Sequence, residues 1–442
     1  MGPQVVPVSS DIALPEAADV VIVGAGIIGT TAALYLSERG LKVVLCEKGH
    51  VGGEQSSRNW GWCRKAKRDP REFELIREAL RLWEGMDARI GGDTGFATTG
   101  IVFSAKDDGV VEDYRRWIAD AAQAGIAAEL ISGADLARLM PGDARPAPAA
   151  LHCASDGRAE PQKAASAIAE AARRNGATML TDCAVRGVET AGGRIVAAVT
   201  ERGTIRTTQV VVAGGAWSRR FLKDLGVDLP QLKVRASVFR TAPLAGAPEA
   251  ALWDTEFAFR KRADGGYTIA NGHVNVVPIV PDSFRFFLDF LPALQMEAKS
   301  LKLRLNERFL AEWLEGGKVP LDRISPYEKC RVLDPAPDQR YLDQAFERLK
   351  RRFAAFGAAQ PVQSWAGFID ATPDAVPVIS PVDGIGGLIV ATGFSGHGFG
   401  IGPGAGHLVA DMITGAKPIV DPRDFRIGRF FDGSRPRPMA GL

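Results

Sequence analysis

Three glycines, Gly24, Gly26 and Gly29, stand at the spacing G-x-G-x-x-G, and an acid, Glu47, follows the next apolar run. These residue types suit a pyrophosphate joined to ribose. Gly24 permits a sharp turn, Gly26 lets backbone approach the phosphates, and Gly29 lets a helix pack closely on a strand. Ile27 and Ile28 then lie at a helix N-terminus facing the anion, and Glu47, followed by Lys48, accepts hydrogen bonds from the ribose. A loop rich in small and polar residues comes next, where Ser56, Ser57 and Arg58 bring donors for phosphate or flavin oxygens and Gln55 is a further cofactor contact. The pattern predicts a bound dinucleotide and leaves FAD and NAD open.

The elements that must hold these groups are legible around them. Residues 20–23 are an apolar run typical of a strand buried on both faces, helix formers span 31–39, Gly40 ends the helix, and 41–45 is another strand. Asp69-Pro70-Arg71-Glu72 reads as a helix start, with an acid cap, proline at the first position and Glu72 closing the capping box. Phe73, Ile76, Leu80 and Trp83 lie on one face of that helix. Further on, an alanine-rich helix starts at Pro161, and 209–213 is a buried strand running into Gly214 and Gly215. Residues 234–270 are strand-like, with a hairpin signal at Asp264-Gly265-Gly266. A phenylalanine-rich stretch, VVPIVPDSFRFFLDFLPAL, leads into a helix-like segment over 296–314. Residues 341–356 form an amphipathic helix, 388–391 a strand, and a last helix begins near Gly404.

Composition removes several function classes. The chain has 442 residues, 46% of them hydrophobic and 24% charged, with a net charge of +2. It is long enough for roughly two or three domains and gives no case for nucleic acid. Five scattered cysteines without a C-x-x-C, and histidines without ligand-like spacing, predict neither a disulfide framework nor a metal site. No signal-peptide pattern or membrane-spanning run is present, so a cytoplasmic protein is expected.

Three separated segments resemble the FAD-dependent D-amino acid oxidase superfamily, which includes glycine and sarcosine oxidases. They are the opening glycine unit, the central VVVAGGAWS and the terminal ATPDAVPVIS…ATGFSGHGFGIGPGAG, in the expected order. GEQSSR and the phenylalanine-rich insert before SPYEKCRVLDPAPD look like the bacterial L-amino acid deaminases. The resemblance implies an α/β fold with a Rossmann-like FAD-binding domain and a mixed-sheet α+β substrate-binding domain. It implies hydride transfer from the amino acid C–N centre to flavin N5, giving an imine that hydrolyses to a 2-oxo acid and ammonia. Oxygen or a respiratory-chain carrier would then take the electrons. No catalytic side chain is required, since flavin N5 is the hydride acceptor. Val185, Gly214, Gly215 and Trp217 are implied as cofactor contacts. So are Gly393, Gly396, His397, Gly398, Phe399, Gly400 and Ile401, whose glycine run lets N–H groups reach the flavin pyrimidine.

The departures from the family matter as well. Ile369 stands where many relatives carry a carboxylate-binding Arg, Gly400 where sarcosine oxidases carry Lys, and Gly367 near the place of their FAD-linking Cys. FAD is therefore expected to be non-covalent. For the substrate carboxylate the insert offers Arg285, with Phe287 packing on the side chain, and Arg64 is the runner-up. Trp62, Phe368 and Phe394 are expected pocket walls. The bland alternative for Arg285 is an arginine beside an apolar patch that touches a membrane peripherally. The rival functions are oxidation of N-substituted or cyclic amino acids or opines, and a flavin subunit of a multi-protein electron-transfer complex. The expected division is FAD-binding at 15–90, 150–232 and 336–430, and substrate-binding at 91–149 and 233–335, with the hydrophobic insert at 275–335.

Overall fold

The computed structural model describes residues 2–298, 300–434 and 436–439. Val20–Val23 is a strand with parallel partners on both sides, Val43–Cys46 and Val210–Val212. Thr178–Leu180 extends the sheet beyond one partner and Leu388–Thr392 beyond the other, with Val378–Pro381 antiparallel at the edge. The side chains of the three central strands are apolar and almost all buried on both faces, as a parallel sheet between two layers demands. Helices Ile27–Glu38, Pro161–Arg174 and Gly398–Thr414 share one hydrophobic core on one face. The small antiparallel sheet Val185–Ala191, Arg194–Thr200 and Gly203–Arg206 contributes to the core on the other.

A second, larger sheet of ten strands forms the other half. Its long pairing joins Leu232–Thr241 antiparallel to Pro361–Ala371. The hairpin signal at 264–266 is met by Ala258–Lys261 and Tyr267–Ala270, which pair antiparallel. Helix Gln339–Arg352 buries Leu342, Ala345 and Leu349 in a core with Phe257, Phe259 and Phe356. Ala149–Cys153, Pro361–Ala371 and this helix thus belong with the large sheet, although the sequence division counted most of their residues with the FAD-binding segments. Long-range strand pairing, invisible in local pattern, decides their place.

Two other expectations change. The 296–314 segment is not one helix: Leu301–Leu305 is a strand, parallel to Asn275–Ile279, and helix Glu307–Leu314 follows. Leu301, Leu303 and Leu305 alternate with Lys302 and Arg304, so the local period is two. The closing helix begins at Gly398, not near Gly404. Its glycines serve close packing: a Cβ on Gly404 would stand 3.0 Å from the Leu75 carbonyl, and one on Gly406 2.6 Å from the Ala32 nitrogen. Pro403 lies inside this helix, and nearby carbonyls gain side-chain donors. Trp83 Nε1 donates to Gly400 O at 2.9 Å and Thr31 Oγ1 to Gly402 O at 3.0 Å.

Candidate functional site

The turn after the first strand is built as its glycines require. Gly24 has φ +102°, and a Cβ there would lie 2.6 Å from the Ala213 carbonyl. A Cβ on Gly29 would collide with the Gly24 carbonyl, which fixes helix against strand. A Cβ on Gly26 would meet only Ser56 Oγ, at 3.0 Å, so this glycine is open toward the cleft. Ser56 Oγ accepts from the Ile27 N–H at 2.9 Å. Glu47 is clamped at the end of the second strand, accepting from Ala25 N–H at 2.8 Å and Gly49 N–H at 2.9 Å. Burial pushes its carboxyl above the ordinary value, while Lys48 and these two N–H groups oppose the rise.

Around this turn lies a cleft, open at its mouth. Its first wall carries Ile28, Lys48 and Gln55 as well as the turn itself. Its second wall is Val185, Gly214, Gly215 and Trp217, following the strand Val210–Val212. Its third is Phe368, Phe394, Gly396, Gly398 and Phe399. The closing helix starts at Gly398, so its positive end meets the cleft at residues 396–398.

Two acids brace the walls, and the sequence reading missed both. Glu54 accepts from Lys48 Nζ at 2.6 Å, Trp217 Nε1 at 3.0 Å and Leu333 N–H at 3.0 Å, joining distant segments. Asp370 accepts from Gly393 N–H at 2.7 Å and Thr392 Oγ1 at 3.1 Å, fixing the third wall. A lone acid in the apolar run 365–371 was the available signal for Asp370. Glu54 had none beyond its place in a glycine loop.

Other named residues lie outside the cleft wall. Gly29 and Ser57 are buried behind it, and Gly393, Gly400 and Ile401 support it from within. His397 turns its ring toward Glu72 instead. Arg58 is spent structurally: its guanidinium donates to Asp334 at 2.6 Å, to Ala366 O at 2.9 Å and to Gly53 O. These protein partners occupy the guanidinium that the sequence offers to phosphate or flavin oxygens. Arg285 is exposed, with 55% of its side chain accessible, and pairs with Asp228 at 2.9 Å. Phe287 is 50% exposed. Neither is among the residues that line the cleft or the second cavity described below.

Arg64 and Trp62 are placed differently. The Trp62 carbonyl, Cys63 Cα and Arg64 nitrogen lie 3.1–3.4 Å from where a Cβ on Gly400 would stand, directly behind the third wall. Arg64 lines a second cavity with Phe103, Tyr114 and Trp253. Its guanidinium is 5.3 Å from the Phe103 ring, and Trp62 meets the same ring at 6.0 Å. Burial pushes the Arg64 guanidinium down to about 9, so it remains charged at neutral pH.

A cleft closed by a phosphate turn at one end and a helix N-terminus at the other is the shape of an oxidoreductase's FAD site. The residues present fit that group. Gly26 is open where a pyrophosphate passes, the Glu47 oxygens are fixed at the ribose position, and Gln55 Oε1 is buried in the wall without a protein partner. The chain matches the family of FAD dependent oxidoreductases (DAO) over residues 19–412 and belongs to it. Glycine oxidase of Pseudomonas aeruginosa is 25% identical over 432 residues, covering 92% of this chain and 97% of the relative. L-Amino acid deaminase of Proteus myxofaciens, solved in complex with anthranilate, superposes with a TM-score of 0.94 at 35% identity, covering 97% of each chain. The Proteus vulgaris L-amino acid deaminase gives 0.92 at 35% identity, covering 97% of this chain and all of the other.

Proposed function

We propose that this chain oxidises the C–N bond of an amino acid, releasing an imine that water converts to a 2-oxo acid and ammonia. The observation that carries this reading is Arg64, a charged guanidinium in a cavity where Phe103, Tyr114 and Trp253 stand among polar groups such as Lys67 and Asp113, its backbone packed against Gly400 behind the FAD wall. A substrate carboxylate needs a fixed, planar, two-point donor, and Arg64 supplies one where water is partly excluded. When bound, FAD supplies the acceptor for the hydride and its two electrons. The chain's own groups bind and orient. Arg64 holds the carboxylate, Trp62 and Phe103 wall the side chain, and Phe368 and Phe394 keep water from the FAD side. No side chain is assigned to take a proton from the amine, which binds already deprotonated. The 35% identity with the Proteus deaminases and the glycine oxidase relative both support an amino acid as donor, and N-substituted or cyclic amino acids are the alternatives. The test is anaerobic flavin bleaching by a panel of L- and D-amino acids and N-methyl analogues with the single purified chain. A flavin that none of them reduces would sink the reading and favour a subunit that needs partners.

The exposed insert supports a second element of this proposal, a peripheral contact with the inner membrane and a respiratory electron acceptor. Leu288 is 79% exposed, Leu314 75%, Phe284 69% and Trp313 65%, all on neighbouring pieces of the insert. Among the described residues no helix is long and apolar enough to cross a membrane. Such a face lies on a bilayer rather than spanning it. In this reading the protein is cytoplasmic and touches the membrane from that side. Co-sedimentation with anionic lipid vesicles checks it, and a chain that stays in the supernatant at low salt would refute it.

A further inference from the structure

Behind the turn 396–398 the structure buries ionisable groups that the cleft does not use. His397 is 4% exposed and Glu72 fully buried, with Nδ1 of the ring 3.5 Å from Glu72 Oε2. Neither ring nitrogen and neither Glu72 oxygen has a hydrogen-bond partner, and Arg68 Nη1 beside them has none. Glu72 was read from sequence as closing a capping box. Instead Asp69 caps alone, accepting from Arg71 N–H at 3.0 Å, and the Glu72 side chain points inward. Unsatisfied buried polar groups are costly, so four such atoms on two facing side chains call for an explanation.

The surroundings supply one. Arg64 and Arg68 face Glu72 from the preceding loop, Asp69 and Arg71 from its own turn, and His397 from the closing helix; Asp156 faces the two loop arginines from the far side. Arg71 is itself held by Asp69 and Asp374. Arg68 Nη2 reaches the His397 carbonyl at 3.4 Å. Gly396 and Gly398, the neighbours of His397, both line the FAD cleft. The pair thus sits one residue behind the surface on which the reduced cofactor's charge would bear.

We propose that Glu72 and His397 are positioning residues that share an exchangeable proton and take up one more from solvent when FAD is reduced. The balance is simple. A hydride carries two electrons and one proton to FAD, adding one negative charge. The further proton comes from water, lands on the Glu72–His397 pair, cancels that charge and returns to water on reoxidation. A negative charge nearby raises the proton affinity of the pair. Burial already pushes the Glu72 carboxyl up to about 7, with Arg68 opposing, so the uptake falls near neutrality. A second proton for each electron pair enters between the affinity of the pair in the oxidised protein and its higher affinity in the reduced one.

The test uses the FAD-loaded protein and a chemical reductant with redox dyes, so it does not depend on any substrate assignment. The potential is measured over about pH 6 to 9. The wild type is expected to take up two protons per electron pair just above neutrality, and Glu72→Gln only one in that window. Equal proton counts for the two proteins would overturn the proposal. Infrared difference spectra of the wild type guard against a variant that fails to fold. Reduction should add a carboxylic-acid carbonyl band that shifts in deuterated water, and its absence would overturn the proposal as well.

Discussion

Two apolar helical regions of this molecule treat their surfaces in opposite ways. Helix Ile27–Glu38 buries eleven of its twelve residues, two polar threonines among them. Helices Pro281–Arg285 and Glu307–Leu314 bury none, although they carry Phe284, Phe309, Leu310 and Trp313. Around the first helix, close backbone approach and side-chain bonds to carbonyls use up every surface. The insert leaves its apolar side chains outside, held by polar ties such as Arg219 to Asp282 at 3.0 Å and Lys233 to Glu312 at 2.9 Å. Hydrophobicity of sequence therefore did not separate core from periphery here; the density of glycine and small residues did.

Changes in the packed region should cost most. Gly26→Val puts bulk where only the cleft is open, so the folded protein should lose essentially all FAD, read from its visible absorbance. Full occupancy would place the dinucleotide elsewhere. Denaturing the wild type should release FAD into solution, because Gly367 faces Gln55 and Arg58 and offers no linking thiol; colour left on the precipitate would contradict this.

A second break targets the tie between the two halves. Arg260, in the large sheet, donates to Glu160 at the start of helix Pro161–Arg174 at 2.7 Å, both side chains being buried. Glu160→Gln leaves the arginine charge uncompensated and should cost about 3 to 5 kcal/mol in denaturant unfolding. Burial pushes the Glu160 carboxyl up, but Arg260 and Arg262 outweigh it and hold it at about 2, below its usual 4.5. The contribution is therefore full above pH 4.5 and lost as pH falls through about 2. Wild type and variant should converge in stability in acid, and a gap that persists there would reject the ion-pair account.

Smaller effects sharpen the contrast. Arg64→Met should lower the efficiency of flavin reduction by an amino acid by about one to two orders of magnitude, the loss of a charge-assisted contact of roughly 1.5 to 3 kcal/mol. Arg285→Met should leave it unchanged; the reverse result would return the carboxylate to the insert. At the far end, Leu288→Asp with Trp313→Ser should alter stability by no more than about 0.5 kcal/mol. Flavin content should hold while vesicle binding falls, and a drop in thermal stability instead would mean that the insert face is core.

The sequence was most readable where chemistry and local structure coincide. Gly24, Gly26, Gly29 and Glu47 act within one strand–helix–strand unit, and their period carries the fold with it. Legibility failed where a partner is remote. Arg58 looks like a phosphate donor until Asp334 is folded beside it, and Asp370 acquires its role only opposite Gly393. Glu72 follows a local capping pattern, yet burial beside His397 gives its side chain another direction. The expected start of the closing helix near Gly404 falls more than a turn late, because composition cannot distinguish a glycine run ahead of a helix from a helix that another backbone must approach.

The order of strands in the parallel sheet bears on how the protein is made. Val20–Val23 leaves the ribosome early, but its neighbour Val210–Val212 follows only after roughly 10 to 40 s at ordinary synthesis rates, and Leu388–Thr392 later still. For that interval the first strand has one open edge, the geometry that invites pairing with other chains. The helix Gly398–Thr414 that completes the FAD wall emerges after every strand of that sheet. Cofactor loading therefore waits for that helix, and no excess of FAD during translation can protect the nascent sheet before it has emerged.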